Sequence, residues 1–272
     1  MEPRGRRGRQ RLHGRRRGHR DPAQRRARPC KGVEVRVTPL AGLLAPDGTL
    51  RAAINTGNKA LVQEDGGHLT GVSPALARRL AEELGVPLEP VLYPGAGKVV
   101  ADAQAGVWTV AFLAVDPARE DHVAFTRPYV TIDTTYAVRP GGPATVEDVD
   151  RAGVTILSAA GSAYDLHLDK SIRHAAVVKA ESPGASMDRF IAGEGDAVAG
   201  VRASLAARFT GNAGAVILPG ALAAVGQAMA VPVALREAVP LLGDFLARAR
   251  GEGMIEAAIE ASGAKGLTIP DR

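Results

Sequence analysis

Arg119 is the residue whose position argues most directly for chemistry. It follows VWTVAFLAV (107–115), a continuous apolar run bounded by Gly106 before it and Asp116-Pro117 after it. Such a run reads as a strand buried on both faces of a parallel sheet. Ligands of open α/β sheets bind just beyond the carboxyl ends of these strands. A guanidinium fixed there grips a carboxylate or phosphate through two parallel hydrogen bonds. The bland alternative is a surface pair with Glu120 or Asp121. Asn55 and Asn58 follow the end of an earlier strand, LRAAIN, and are candidates for ligand contact or for turn chemistry. Gly161-Ser162 precedes a helix, so Ser162 is a cap that can also touch ligand. Lys98 reads as a cation at the pocket edge, and Arg202 as a ligand contact or the first residue of a helix.

Other chemistries fail on spacing. Pro94-Gly95-Ala96-Gly97-Lys98 imitates a phosphate loop, but Leu92 stands where its first glycine belongs and Val99 where it needs Ser or Thr. Gly193, Gly195 and Gly200 do not make a dinucleotide fingerprint, because the third glycine is misplaced. No Gly-x-Ser-x-Gly exists, so Ser162 is not a nucleophile on an elbow. The six histidines show no ligand spacing, and the single cysteine, Cys30, excludes disulfides within the chain. Neither a metal nor a cofactor is expected.

The elements that must position these residues alternate. After LRAAIN, Ser73-Pro74 starts a helix whose Val72, Leu76, Leu80 and Leu84 recur every four residues until Gly85 stops it. Strand 86–92, a short helix over 98–105 and the strand over 107–115 complete a β-α-β-α-β order, which implies right-handed crossovers and a parallel sheet. An extended segment (131–139) ends at Pro140-Gly141-Gly142-Pro143. A second set follows: a helix near 145–149, strand 154–157, a helix from Ser162, strand 175–179, a helix from Ser182-Pro183, and strands over 196–201, 215–218 and 227–233. Two amphipathic helices close the chain; Ala238, Leu242, Phe245 and Ala249 stripe the first, Ile255 and Ile259 the second. Two α/β units joined by extended segments suggest two lobes with a cleft. Trp108, at the head of the buried run, is expected in lobe packing.

Charge divides the chain differently. Residues 1–31 hold 13 of its 34 Lys and Arg but only 2 of its 29 Asp and Glu, which leaves 21 basic and 27 acidic residues beyond them. The overall +5 therefore belongs to the first 31 residues, and the remainder is acidic. That segment has few apolar residues to offset its ordering entropy, so residues 1–43 are expected to be a disordered basic extension and lead-in. It lacks interleaved aromatics for base stacking, and no nucleic-acid partner is expected for the folded part. No apolar run follows the arginines as a secretory signal requires, and none approaches membrane-spanning length.

From Leu50 to Gly263 the chain resembles the family 3 extracytoplasmic solute-binding proteins, the polar amino-acid class of ABC-transporter receptors. The segments that carry the resemblance are LRAAIN, HLTGVSPALARRLAEELGVPLE, AQAGVWTVAFLAVDPAREDHVAFTRPYV, ILSAAGSAYDLHL and FIAGEGDAVAGV, in the family's order. The resemblance implies an α/β, two-lobed periplasmic-binding-protein type II fold with two hinge strands. Lobe one would comprise 44–137 plus 230–272 and lobe two 138–229, with the terminal helices on lobe one. It implies that Arg119 holds the ligand's carboxylate, assisted by backbone N–H groups at Ala114 and by those of the Gly161-Ser162 turn. The family's ammonium-binding aspartate aligns with Val201, with Arg202 next to it. The aromatic residues that sandwich the ligand align with Asn58-Lys59 and with Tyr93 or Ala96. The ligand expected is a small anionic or zwitterionic solute, an amino acid or a related organic anion, and the partners expected are ABC permease subunits. A monomer outside the cytoplasm is implied. The alternatives are a cyclohexadienyl-dehydratase-like enzyme on the same fold, with Asp116, Asp133 or Asp165 as its acid, and a cytoplasmic ligand sensor.

Overall fold

The computed structural model describes residues 38–264 and 266–270. The basic run 1–31 and Cys30 lie outside the described residues. Helix α1 (Pro39–Leu44) precedes β1 (Leu50–Asn55), the hairpin β2 (Gln63–Asp65) and β3 (His68–Thr70), α2 (Val72–Leu84), β4 (Leu88–Tyr93), α3 (Ala96–Ala101) and β5 (Val110–Ala114). Strands β6 (Val123–Phe125) and β7 (Val130–Val138) lead to β8 (Thr155–Ala159), α4 (Ala163–Ser171), β9 (Ala176–Ala180), α5 (Pro183–Ile191), β10 (Ala197–Val201) and α6 (Arg202–Phe209). The chain closes with β11 (Val216–Ile217), β12 (Ala223–Pro232), α7 (Val239–Gly251), α8 (Met254–Ser262) and β13 (Leu267–Thr268).

One sheet runs β4-β1-β5-β12-β7-β10-β8-β9. Its outer thirds are parallel: β1 with β4 and β5, β8 with β9 and β10. Between them lie the two long strands, antiparallel to each other and to their outer neighbours. β7 lies between β12, which pairs with Val130–Thr134, and β10, which pairs with Thr134–Val138, with β11 and β13 pairing further along it. The two thirds therefore share these strands and keep separate cores. Leu50, Ile54, Leu76, Leu80 and Phe245 pack on one face of the first third, and Trp108, Val99 and Leu113 on the other. Tyr136, Ile156, Tyr164 and Leu168 fill one face of the second, and Leu157, Phe190 and Leu205 the other. The stripe on α7 packs with the Leu50–Leu76 cluster, so the terminal helices return to the first third.

Several boundaries differ from the expectations. Helix α2 begins at Val72 with Gly71 as its cap, at φ +99, while Ser73 lies inside the first turn with its hydroxyl 3.3 Å from that of Tyr129. A side chain at Gly71 would run into the Leu61 carbonyl, so glycine takes the capping position and proline still falls in the first turn. The lead-in holds a helix from Pro39, capped by the Thr38 hydroxyl, with Ala41 and Leu44 buried. The segment near 145–149 forms only one 3-10 turn, Glu147–Val149. Strand β12 starts at Ala223, four residues earlier than its apolar pattern, because backbone pairing with β7 needs no particular side chain. No helix of the described residues is long and apolar enough to cross a membrane.

Candidate functional site

Every residue of β5 is buried, and the chain leaves it through Asp116, whose carboxylate accepts a hydrogen bond from the Ala118 N–H at 2.9 Å. That cap and Pro117 start a 3-10 turn over Pro117–Arg119, which turns Arg119 back under the strand end. Its Nη1 donates to the Ala114 carbonyl at 2.7 Å and its Nη2 to the Gly161 carbonyl at 2.8 Å. Arg119 is 2% exposed, and its Nε has no partner among the described residues. Burial pulls its guanidinium down to about 10, opposed by the charge of Asp116, so it stays a cation at neutral pH. Surface pairing with Glu120 or Asp121 is not what this residue does. At Ala114 the carbonyl, turned to Arg119, is the group engaged.

Across the cleft, β8 ends at a turn that glycine makes possible. Gly161 has φ +68, and a Cβ there would lie 2.9 Å from the Cα of Gly97. Its N–H donates to Asp165 Oδ2 at 2.9 Å, and the Ser162 N–H donates to the Ala159 carbonyl at 3.0 Å. Both N–H groups expected to face a carboxylate are thus used within this turn, and Gly161 instead presents its C=O to Arg119. The Ser162 hydroxyl caps α4 by accepting from the Asp165 N–H at 3.1 Å. Asp165 is 1% exposed, and Lys179 Nζ lies 3.1 Å from it and 2.8 Å from Asp169. Burial alone would lower the Lys179 ammonium; its bonds to Asp169 and Asp165 outweigh that and raise it. Tyr164, next in the helix, has a buried hydroxyl with no partner among the described residues, and burial pushes its ionisation up.

The remaining lining comes from the loop after β1 and from the two long strands. Asn55 Oδ1 accepts from the Gly57 N–H at 3.1 Å and Asn58 Oδ1 from the Ala60 N–H at 3.3 Å, so both make turns while lining the cleft. Ser204, at the start of α6, reaches across to this loop: its hydroxyl donates to the Gly57 carbonyl at 3.1 Å and accepts from the Lys59 N–H at 3.0 Å. Thr134 of β7 and Gln227 of β12 line the floor. The cavity enclosed has a volume of about 40 Å³. That is room for about three waters.

Of the residues singled out from the sequence, Asn55, Asn58, Ala114, Arg119 and Ser162 share this cleft, and Gly161 bonds Arg119 at its edge. Two lie elsewhere. Lys98 is an exposed side chain 3.9 Å from Glu181, and Arg202 donates to the carbonyls of Leu218, at 3.1 Å, and Gly220. Neither lines the cleft, because α3 and α6 direct these long side chains to neighbours outside it. The candidate acids are not in the lining either: Asp116 faces Lys170 at 3.5 Å, Asp165 faces Lys179, and Asp133 sits on β7 with its N–H bonded to Gly266. Tyr164, Ser204 and Gln227 were missed. Tyr164 and Ser204 carry the signal of a polar residue within the first turn of a helix after a strand end; Gln227 carries none beyond interrupting an apolar strand. Among the described residues no group of three His, Cys, Asp or Glu side chains is disposed to hold a metal ion.

Residues 50–259 match the family model of bacterial extracellular solute-binding proteins, family 3. No curated protein matches the sequence. Among solved structures, a mutant of ArgBP from T. maritima is similar at 22% identity and TM-score 0.72, covering 83% of this chain and 100% of its own. The solute receptors for L-cysteine of Neisseria gonorrhoeae are similar at 23% identity and TM-score 0.72, with 82% of this chain and 92% of that chain covered. An ancestral amino acid-binding protein, described as a precursor of cyclohexadienyl dehydratase, is similar at 21% identity and TM-score 0.69, with 82% and 99% covered. At these identities the likeness is one of fold.

Proposed function

Because the chain belongs to the bacterial extracellular solute-binding proteins of family 3, we propose that it is the receptor of an ABC importer and clamps a small carboxylate-bearing solute, an amino acid or a related organic anion, between two lobes. Arg119 is the observation that carries this reading. Among the described residues it is a buried cation at a strand end, bonded only to neutral carbonyls, with an Nε that has no partner. Keeping such a charge out of water costs several kcal/mol unless an anion compensates it. A carboxylate supplies that compensation in the guanidinium's own planar geometry.

The lobes proposed are 44–137 with 230–272, and 138–229, with β7 and β12 as the hinge. Two sets of cores on either side of these strands support the division. A solute bound between the two sides would favour their closed arrangement, and its release would need them to part. Solved structures of this fold include a solute receptor for L-cysteine and an amino-acid transporter protein bound to L-arginine, which supports an amino-acid-sized ligand and a permease partner. The family's description supports a place outside the cytoplasm, and we take the chain to act as a monomer.

Small-angle scattering tests the clamp. Protein stripped of small molecules by unfolding and refolding should contract when the extract released from it is returned. An unchanged radius of gyration at saturation would count against closure.

A further inference from the structure

We infer that the solute this cleft selects is a monocarboxylate with no cationic group, whose neutral polar end is recognised by the carboxamide of Gln227. The inference rests on the carboxylate-clamp reading above and adds the charge of the ligand to it.

The charge inventory of the lining carries the first half. Among the described residues its side chains include one cation, Arg119, and no Asp, Glu, Lys or His. The carboxylates near the cleft lie outside its lining, although Asp165 Oδ1 is buried without a partner among the described residues. Asp165 accepts from Gly161 and faces Lys179 at 3.1 Å, and Asp116 accepts from Ala118 and faces Lys170 at 3.5 Å. A solute ammonium enclosed here would lose its water, gain no counter-ion and share a small cavity with a guanidinium. Each of those raises the cost of burying it. One carboxylate neutralises Arg119, whose bonds among the described residues go only to the neutral Ala114 and Gly161 carbonyls. A second would find no cation left.

The second half comes from the neutral groups. Most already have partners: Thr134 donates to the Ala223 carbonyl at 3.0 Å, Ser162 caps α4, Ser204 bonds Gly57 and Lys59, and the oxygens of Asn55 and Asn58 close turns. Two do not. The Tyr164 hydroxyl is buried without a partner among the described residues. Gln227 is 3% exposed and lines the cleft, and its carboxamide makes no hydrogen bond among the described residues. It pairs in register with Ala114, whose carbonyl holds Arg119, so it stands one strand away from the anion's anchor. A carboxamide both donates and accepts. A solute amide, carbonyl or hydroxyl satisfies it, whereas leaving it unpaired in a closed cleft is unfavourable.

Calorimetry on the full chain with matched probes tests this. L-Lactate is compared with L-alanine, 5-oxo-L-proline with L-proline, and succinamate with succinate, while mass spectrometry identifies the small molecule released from purified protein. In each pair the first should bind about tenfold tighter or more, and the released solute should be a monoanion without an amine. Gln227→Leu should weaken 5-oxo-L-proline and succinamate by about tenfold, a lost buried hydrogen bond; unchanged affinity would remove Gln227 from recognition. The pair comparisons use the unaltered protein and so do not depend on that variant folding. An ammonium-bearing member that binds as tightly as its partner, or a released solute carrying an ammonium, overturns the inference and leaves the Arg119 clamp standing. Should no probe bind and no carboxylate be released, the clamp itself is wrong and the inference falls with it.

Discussion

The two sides of the cleft treat charge in opposite ways. On the β5 side a single arginine is buried against backbone carbonyls, with no carboxylate bonded to it. On the β8 side the buried Asp165 is neutralised by Lys179, which also holds Asp169, and what this side turns to the cleft is neutral: a carbonyl, a serine and a tyrosine. One side turns an unpaired cation toward the cleft, and the other keeps Asp165 and Asp169 against Lys179, outside the lining. On the proposed reading, attraction of an anion falls to the first side and shape at closure to the second. If both sides carried free charge, the lobes would attract or repel each other whether or not solute was present.

Removing the unsatisfied charge should have the largest effect. Hydrogen bonds to charged groups are worth roughly 1.5–3 kcal/mol each, so Arg119→Ala should weaken solute binding about a hundredfold or more by calorimetry. Arg119→Lys should recover little, because one ammonium cannot reproduce the fork. Stability should change little, since the variant loses two bonds to carbonyls but also the cost of burying a cation. Parent-like affinity in Arg119→Ala would end the distinction between the sides. The pH dependence follows in sign. With its proton affinity lowered to about 10 in the fold, Arg119 is held more weakly protonated than in the unfolded chain. Its burial is thus a cost at neutral pH, relieved as pH rises through about 10. Anion affinity should be flat from about pH 6 to 9 and fall above that range.

A smaller effect should follow from disturbing shape on the second side's contact. A methyl on Gly97 would lie 2.5 Å from the Ala160 carbonyl oxygen, backbone against backbone where the lobes meet. Gly97→Ala should hold the lobes slightly apart. Affinity should drop about tenfold, with an enlarged radius of gyration in the presence of solute and an unchanged melting temperature. Loss of melting temperature instead would mean that this contact belongs to a single core and not to a closing interface.

The smallest effect on binding is expected outside the cleft. Arg202 spends its guanidinium on the Leu218 and Gly220 carbonyls, so Arg202→Ala should leave affinity within about twofold and cost about 1–2 kcal/mol of stability in denaturant unfolding. A loss comparable to that of Arg119→Ala would make it a second anion contact, and the charge asymmetry would have to be redrawn.

Much of this was legible before any coordinates. The apolar run ahead of Arg119, the Ser-Pro starts and the four-residue recurrence of leucines encode local structure, and local rules read them. The hairpin β2–β3 was not legible, since QED and HLT lack any alternation that separates them from a polar loop. The glycines near residue 97 imitate a phosphate loop in sequence. In the fold they serve as backbone contact between lobes, a role that depends on residues more than sixty positions away.

By itself the sequence determined the alternation of strands and helices, the strand end from which Arg119 leaves, and the segregation of basic residues into the first 31 positions. Each depends on neighbours within a few residues, where propensity and periodicity act. Tertiary structure alone decided where long side chains reach and which polar groups remain unpaired. Lys98 and Arg202 were attractive cations until their helices turned them to Glu181 and to the 218–220 carbonyls. Gln227 was an interruption in an apolar strand until register set it beside Ala114. A cation's worth to a ligand depends on what else within hydrogen-bond reach has already claimed it, and that is a property of the packed chain.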